Sequence, residues 1–187
     1  MKTRDLAYIA VFAALTAVLG LLPAINVGPV PVTAQTLGVM LAGSVLGAKR
    51  GFLALLLFLL LVAVGLPLLP GGRGGLGVFV GPTAGYLYAW PLGAFVVGLV
   101  TELAWRRFNL AWAALANVVG GVLVIYAVGI PFVAVYADEV TLAQSLTGSL
   151  AFLPGDAIKV AVASLIAVQV RRAYPVIERP RGAAATS

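Results

Sequence analysis

The sequence contains no cysteine and no histidine, and each absence excludes a class of chemistry. Without cysteine the chain can form neither a disulfide nor a thiolate metal site. Without histidine it lacks the commonest general base and the commonest metal ligand. Only six residues are acidic, so few carboxylates remain that could activate a nucleophile. We therefore expect a protein that is not an enzyme, with no catalytic residue, no metal site and no cofactor.

Charge of either sign is also scarce. Charged residues make up 10% of the chain and hydrophobic residues 62%, whereas soluble domains carry about 25% charged residues. Most of the chain must therefore contact lipid. The composition predicts an all-α membrane protein that is embedded in the lipid bilayer.

Apolar stretches of helical length divide the chain. A helix that crosses a bilayer needs about 20 mainly apolar residues, and six stretches approach this: 6–22, 33–48, 51–66, 82–105, 111–130 and 147–170. The second and third adjoin at the letters AKRG and are predicted to form a tight helical hairpin. We assign residues 1–170 to a six-helix, substrate-binding membrane domain. Residues 171–187 are polar and contain proline, which predicts a disordered cytoplasmic tail.

The basic residues set the predicted orientation. Cytoplasmic connections of membrane proteins carry an excess of lysine and arginine. With both termini in the cytoplasm, ten of the twelve basic residues fall on the inner side: Lys2, Arg4, Lys49, Arg50, Arg106, Arg107, Arg171, Arg172, Arg179 and Arg181. The net charge of +6 is thus explained by topology, and we expect no nucleic-acid partner.

Two outer connections are rich in glycine and proline. The first, INVGPVPVTAQT, contains Gln35, and the second, GLPLLPGGRGGLGVFVGPTAGY, contains Arg73, Thr83 and Tyr86. Irregular backbone near a membrane is tolerated only where protein covers it or where it lines a cavity. The two connections therefore predict a lidded pocket on the outer side, with Gln35, Arg73, Thr83 and Tyr86 as candidate substrate-binding residues. Plain flexible turns are the alternative, because glycine and proline mark turns in all proteins.

Asp156 and Lys159 are the strongest signal of a binding site. Each charge at the centre of a membrane helix costs about 2.5–3.5 kcal/mol, and a spacing of three residues places both on one helix face. A carboxylate and an ammonium together complement a neutral cyclic urea or amide, which offers both N–H donors and a carbonyl. An ion pair that only holds the helices together is the alternative. Arg73 could hold an anionic tail of the ligand, or be an exposed loop charge.

The first helix carries a pattern of small residues. Ala10 and Ala14, and Ala13 and Ala17, are each four residues apart. Small residues at this spacing allow another helix to approach closely. The pattern predicts either internal packing or a surface on which a partner helix docks.

Three blocks of sequence together resemble the BioY family, the biotin-binding S components of energy-coupling-factor (ECF) transporters. They are PVPVTAQT (residues 29–36), GLPLLPGGRGGLGVFVGPTAGYL (65–87) and FLPGDAIKVAVA (152–163). Their order, spacing and predicted topology agree with the family over roughly residues 6–170.

The resemblance implies a function, partners and a location. A BioY protein captures biotin at high affinity in the plasma membrane of a prokaryotic cell, and works with a membrane coupling protein and a pair of ABC ATPases on other chains. Asp156 and Lys159 would contact the ureido ring, and the helix-1 alanines would face the coupling protein. An S component for another small vitamin and an ion-coupled carrier that works alone remain as alternatives.

Overall fold

The structure, a computed structural model, describes residues 1–27, 30–137 and 140–177. Helices dominate these residues. Helices α1 (Thr3–Leu19), α2 (Gln35–Leu46), α3 (Ala48–Ala63) and α4 (Ala84–Leu103) are separate. Helix α5 (Leu110–Val118) continues through a π-helical segment (Val119–Val124) into α6 (Ile125–Tyr136), and α7 (Leu142–Ser149) continues through a 3-10 turn (Leu150–Phe152) into α8 (Leu153–Ala173).

Two smaller elements lie in the glycine- and proline-rich connections. Strands β1 (Ile25–Val27) and β2 (Val30–Val32) pair antiparallel, with Ile25 opposite Val32. A 3-10 helix (Leu76–Phe79) lies in the second connection. Neither element was predicted, because three-residue strands and a single turn have no periodicity that a sequence pattern can reveal.

The long helices have the length and composition of membrane spans. Helix α4, the continuous helix Leu110–Tyr136 and the continuous helix Leu142–Ala173 are each long and apolar enough to cross a bilayer, and α2 is apolar but shorter. The chain is therefore a membrane protein, and the regular secondary structure of its described part is helical apart from the short hairpin and one isolated bridge.

The core of the protein surrounds α2 and α4. Ten of the twelve residues of α2 and twelve of the twenty residues of α4 are buried. Glycines allow the two helices to approach their neighbours: a Cβ at Gly43 would lie 2.5 Å from the carbonyl oxygen of Ala94, and one at Gly98 would lie 2.2 Å from the backbone nitrogen of Ala48. Such close backbone contact is typical of helix packing in membranes.

One residue, Gly47, separates α2 from α3. Its φ of +86° is a left-handed conformation that favours glycine. The carboxylate of Glu102 on α4 accepts a hydrogen bond of 2.8 Å from the backbone N–H of Ala48, the first residue of α3. A side chain at position 47 would collide with that carboxylate, 2.3 Å away. The sequence predicted that α2 and α3 adjoin, but it did not predict the hydrogen bond by which Glu102 of α4 caps α3.

Arg50, near the start of α3, is bonded to α1 and to the segment that follows α8. Its guanidinium donates to the Asp5 carboxylate at 3.1 Å and to the carbonyl of Val176 at 3.0 Å. The pKa of the Asp5 carboxyl is held below its usual value, mainly by the hydrogen bond from the backbone N–H of Lys2. The positive charge of Arg50 lowers it further. Because α8 runs to Ala173 and both Val176 and Ile177 are buried, packed structure continues past residue 170. The rest of the tail, 178–187, lies outside the described residues.

The residues between the fifth and sixth predicted spans, 131–146, are largely helical. Helix α6 continues past the predicted end at 130 to Tyr136, and α7 begins at Leu142, before the predicted start at 147. Thr141 caps α7, since its hydroxyl accepts from the backbone N–H of Gln144 and the Gln144 side chain accepts from the N–H of Thr141. Pro131 stands inside α6, as prolines can in membrane helices. The acidic pair predicted to face outward, at 138 and 139, lies outside the described residues.

The packing of α4 against the α2–α3 junction gives a first test. Gly98→Ala should lower the free energy of unfolding by about 1–3 kcal/mol, because the new methyl group meets backbone atoms that cannot rotate away. Gly148→Ala is the matched control: it is also helical, and a Cβ there meets nothing within 4 Å. Thermal unfolding of the purified protein in detergent measures both. A loss of stability at 148 as large as at 98 would contradict the packing argument.

Candidate ligand-binding site

A cavity lies beside the first half of α4, where the two glycine- and proline-rich connections meet α2, α6 and α8. Residues of all these elements line it: Thr33, Gln35, Thr36, Leu69, Pro70, Arg73, Val78, Thr83, Tyr86, Leu87, Trp90, Gly121, Ile125, Tyr126, Phe152, Asp156 and Lys159. The six residues predicted to bind substrate, namely Gln35, Arg73, Thr83, Tyr86, Asp156 and Lys159, are all in this set. The structure therefore brings together residues that the sequence separates by more than a hundred positions.

Asp156 and Lys159 form an ion pair at the start of α8. The lysine ammonium lies 2.9 Å from carboxylate oxygen Oδ1 of Asp156, and the two side chains are only 13% and 7% exposed. Asp156 stands in the first turn of α8, just after the 3-10 turn that joins α8 to α7. The buried residues of α8 recur at 156, 160, 163, 164 and 167, so the pair faces the core on a continuous helical stripe.

Two hydroxyl groups complete the surroundings of the ion pair. The Tyr126 hydroxyl donates to Asp156 Oδ2 at 2.6 Å, and the Lys159 ammonium donates to the Thr36 hydroxyl at 2.9 Å. These bonds connect α8 to α6 and to α2. An ammonium has three donors and a carboxylate about four acceptor positions, so both groups keep capacity for a ligand at the cavity wall.

Gln35 contributes a buried acceptor. Its amide nitrogen donates to the carbonyls of Thr16, at 3.1 Å, and Leu68, at 3.0 Å. Two carbonyls can be bonded only by the NH₂ group, so this fixes which end of the amide is oxygen. That oxygen, Oε1, is buried and has no hydrogen-bond partner among the described residues. A buried polar atom without a partner is costly, and here it belongs to a residue that borders the cavity.

Arg73 and Thr83 lie in the second connection. Arg73 is exposed, and its Nε donates to the carbonyl of Pro70 at 3.3 Å. The loop closes on itself there, since Leu69 and Arg73 pair as an antiparallel bridge. Thr83, half-buried, precedes α4. Arg73 is thus both a lining residue of the cavity and an exposed loop charge.

Aromatic side chains form the apolar wall. Tyr86 and Trp90 are buried, at 8% and 4% exposure. The Tyr86 hydroxyl shares a 3.1 Å hydrogen bond with that of Ser149, and the Trp90 ring lies 5.8 Å from that of Phe58. Trp90 therefore packs in the core and is not an anchor at the membrane surface. Tyr88 is exposed and lies outside the cavity lining.

The second connection covers the cavity with only part of its apolar sequence. Val78 and Phe79 are half-buried and pack against the core. Leu76 and Val80 are exposed, at 72% and 77%. The lid predicted from this apolar stretch therefore packs through two of its four large side chains, because a turn of 3-10 helix cannot direct all four inward.

Sequence reasoning missed Tyr126 and the place of Thr36 in the site. Tyr126 follows the π-helical segment Val119–Val124, whose wider turn changes the direction of every later side chain relative to a regular helix. The pair Gly120 and Gly121 was the available signal: a Cβ at Gly120 would lie 2.5 Å from the backbone nitrogen of Val97. Thr36 is polar but uncharged, so nothing distinguished it from the other hydroxyl residues as a member of the site.

Helix α1 presents only part of its alanine pattern. Ala10 and Ala14 are exposed on one face. Ala13 is buried at 2% exposure, and Ala17 is half-buried against the core. The two alternatives for the pattern therefore apply to different members of it: Ala13 and Ala17 take part in internal packing, and Ala10 and Ala14 remain as an exposed surface.

Comparison with known proteins identifies the family. A sequence model described as the BioY family matches residues 1–176. The chain belongs to the BioY family. It is 49% identical to the biotin transporter BioY of Rhizobium etli over 95% of this chain and 98% of that protein. It is 41% identical to the biotin transporter BioY of Thermotoga maritima over 90% and 96% of the two chains.

A solved structure agrees with the BioY assignment. The crystal structure of the S-component for biotin from an ECF-type ABC transporter superposes with a TM-score of 0.86 at 33% identity, covering 92% of this chain and 95% of that one. The resemblance drawn from three blocks of sequence is thus confirmed over nearly the whole chain. These relatives are named as transporters, in agreement with the prediction that the protein is not an enzyme.

The ion pair gives a second test, which needs no ligand. Asp156→Asn and Lys159→Met should each lower the free energy of unfolding by about 3–5 kcal/mol, because each leaves one buried charge without its counter-ion. The double variant should lose much less than the sum of the two, since it buries no charge. Thermal unfolding in detergent measures the cycle. Additive losses would show that the two groups do not depend on each other.

Proposed function

We propose that this protein captures biotin for uptake, as the substrate-specificity subunit of an ECF-type transporter. One observation carries the proposal: a single cavity contains a buried carboxylate–ammonium pair and, close by in the lining, a buried amide without a partner for its oxygen. The names of the BioY relatives and the solved S-component support the same substrate.

The polar groups complement the ureido ring of biotin. That ring has two N–H donors and one carbonyl acceptor in a plane. Asp156 can accept from one N–H and Gln35 Oε1 from another, while the third donor of the Lys159 ammonium can reach the carbonyl. Tyr86, Trp90 and Phe152 in the lining offer apolar surface to the sulfur-containing ring and the alkyl chain.

The charges of the cavity fit a monoanion. Lys159 and Arg73 are positive and Asp156 is negative, so the lining has one net positive charge. Biotin is a monoanion at neutral pH, because its side chain ends in a carboxylate. We assign Arg73 to that carboxylate, since it lies in the lining and is exposed, and guanidinium binds carboxylates well. Thr83, at the start of α4, completes this end of the site.

The same proposal includes the orientation in the membrane. Six helical segments would cross the plasma membrane of a prokaryotic cell, with both termini in the cytoplasm and the cavity near the outer face. The clusters Arg106–Arg107 and Arg171–Arg172 at the end of the bundle away from the cavity support this orientation by the positive-inside rule.

A test of the site compares two lysines. Lys159→Met should weaken biotin binding at least about tenfold, because it removes a charge-assisted hydrogen bond. Lys49→Met is the matched control, since Lys49 is exposed at the α2–α3 junction. The Lys49→Met variant should bind biotin normally. Isothermal titration of the purified protein measures both, with thermal unfolding as a check that each variant is folded.

The same titration can exclude the proposal. A folded Lys159→Met variant with unchanged affinity would remove Lys159 from the site. Displacement of biotin by a different vitamin at lower concentration would make the protein an S component for that vitamin. Uptake in cells without any ECF ATPase, abolished by an uncoupler, would indicate an ion-coupled carrier.

We also assign the exposed face of α1 to the coupling protein, which would join the S component to a pair of ABC ATPases. Ala10 and Ala14 are small, exposed and one turn apart, so a partner helix could approach the backbone there.

If the coupling protein docks on this face of α1, a bulky side chain there should impair assembly without affecting biotin binding. Ala14→Trp should reduce co-purification with the coupling protein and abolish ATP-dependent uptake, while biotin binding by the isolated subunit stays normal. Ala161→Trp, at an exposed alanine of α8, is the matched control and should assemble. Normal assembly of the Ala14→Trp variant would refute this docking face.

A further inference from the structure

A second groove lies at the far end of α4 from the biotin cavity. Val100, Leu103, Arg106, Arg107, Trp112 and Leu115 line it, between the last turn of α4 and the first turns of α5. Leu87, in the biotin cavity, and Leu103 are separated along α4 by about 24 Å at 1.5 Å per residue. The groove is therefore a separate site from the cavity.

The apolar part of the groove faces outward from the bundle. Leu103 is 79% exposed, Leu115 46% and Trp112 39%. In a membrane protein such side chains contact acyl chains, and a tryptophan near the end of a helix is typical of the headgroup level. The groove thus has an apolar portion of the kind that an acyl chain covers.

The other part of the groove is positively charged, and no described acidic side chain neutralises it. Arg106 and Arg107 are exposed, and neither guanidinium has an ion-pair or hydrogen-bond partner within the part of the chain that the structure describes. Among residues 1–27, 30–137 and 140–177, no acidic residue lines the groove. The neighbouring Glu102 is engaged elsewhere, since it caps α3 through the N–H of Ala48.

The turn that carries the two arginines is held on its opposite side. The Arg171 guanidinium donates to the carbonyls of Trp105 and Phe108, and it lies over the Trp105 ring at 4.8 Å. The Asn109 side chain caps α5 by accepting from the backbone N–H of Trp112 at 3.1 Å. The backbone around Arg106 and Arg107 is therefore fixed before any ligand binds.

We propose that this groove binds an anionic phospholipid. Arg106 and Arg107 hold the phosphodiester, and one acyl chain lies along Leu103, Trp112 and Leu115. A headgroup without an amine is preferred, because the amine of a zwitterionic lipid would face two guanidinium groups, and the one described acid in the neighbourhood, Glu102, is bonded to the N–H of Ala48. Each arginine should contribute about fivefold to the preference for the anionic lipid.

Tryptophan fluorescence with brominated lipids tests the proposal directly, since bromine quenches only at close range. The full-length protein is reconstituted in nanodiscs that contain phosphatidylcholine and increasing fractions of either brominated phosphatidylglycerol or brominated phosphatidylcholine. The phosphatidylglycerol should quench at a severalfold lower mole fraction. The extra quenching by brominated phosphatidylglycerol should vanish in Trp112→Phe. Its loss would assign this quenching to the groove and not to Trp90 or Trp105.

Charge variants separate the groove from a general attraction to basic protein. Arg106→Gln combined with Arg107→Gln should reduce the lipid preference about 25-fold. The control, Lys49→Gln combined with Arg172→Gln, removes two other exposed charges and should keep the preference. Native mass spectrometry of phosphatidylglycerol retained after delipidation gives a second readout.

Three outcomes would overturn the proposal. Equal quenching by the two lipids would mean that the groove holds ordinary bilayer lipid. Equal loss in both double variants would mean that net charge alone attracts the lipid. Persistence of the selective quenching in Trp112→Phe would place the lipid elsewhere. Biotin titration is independent of all three, so failure here leaves the proposed transport function unaffected.

Discussion

The buried pair of Asp156 and Lys159 is the interaction on which the rest of the site depends. In an apolar bundle each of these charges would be expensive alone, and they are tolerated because each satisfies the other at 2.9 Å. Tyr126 and Thr36 then join the pair from α6 and α2. The pair consequently fixes where three separate helices stand around the cavity, and it leaves one face of each charged group for a ligand.

Glycine makes this arrangement possible at the level of the backbone. Close approach at Gly43 and Gly98 brings α2, α3 and α4 together, which leaves the first half of α4 free to form the cavity wall. The Gly120–Gly121 pair accommodates the π-helical segment that precedes Tyr126. Polar groups at the opposite end of the bundle, such as Glu102 and Arg50, hold helix ends and are absent from the cavity lining.

The sequence allowed the helical class, the family and six of the cavity-lining residues to be predicted, because charge is so rare in this chain that a charged residue within an apolar stretch is informative. The i, i+3 spacing at 156 and 159 was sufficient to predict one helix face. Side-chain direction was not accessible in the same way. The sequence left open whether Ala13 is buried, and the role of Tyr126 was overlooked, because burial depends on which neighbour a helix meets and on a change of helical pitch, and neither leaves a regular period in the sequence.

Gln35 has a mechanical consequence for the molecule. Its single amide nitrogen is bonded both to Thr16 in α1 and to Leu68 in the second connection, while a glycine at position 20 leaves just enough room for it. Helix α1 and that connection therefore cannot slide past each other without breaking a bond or rotating this amide. Any such rotation would also move the amide oxygen. A displacement of α1 is therefore coupled to a polar group of a residue that lines the cavity.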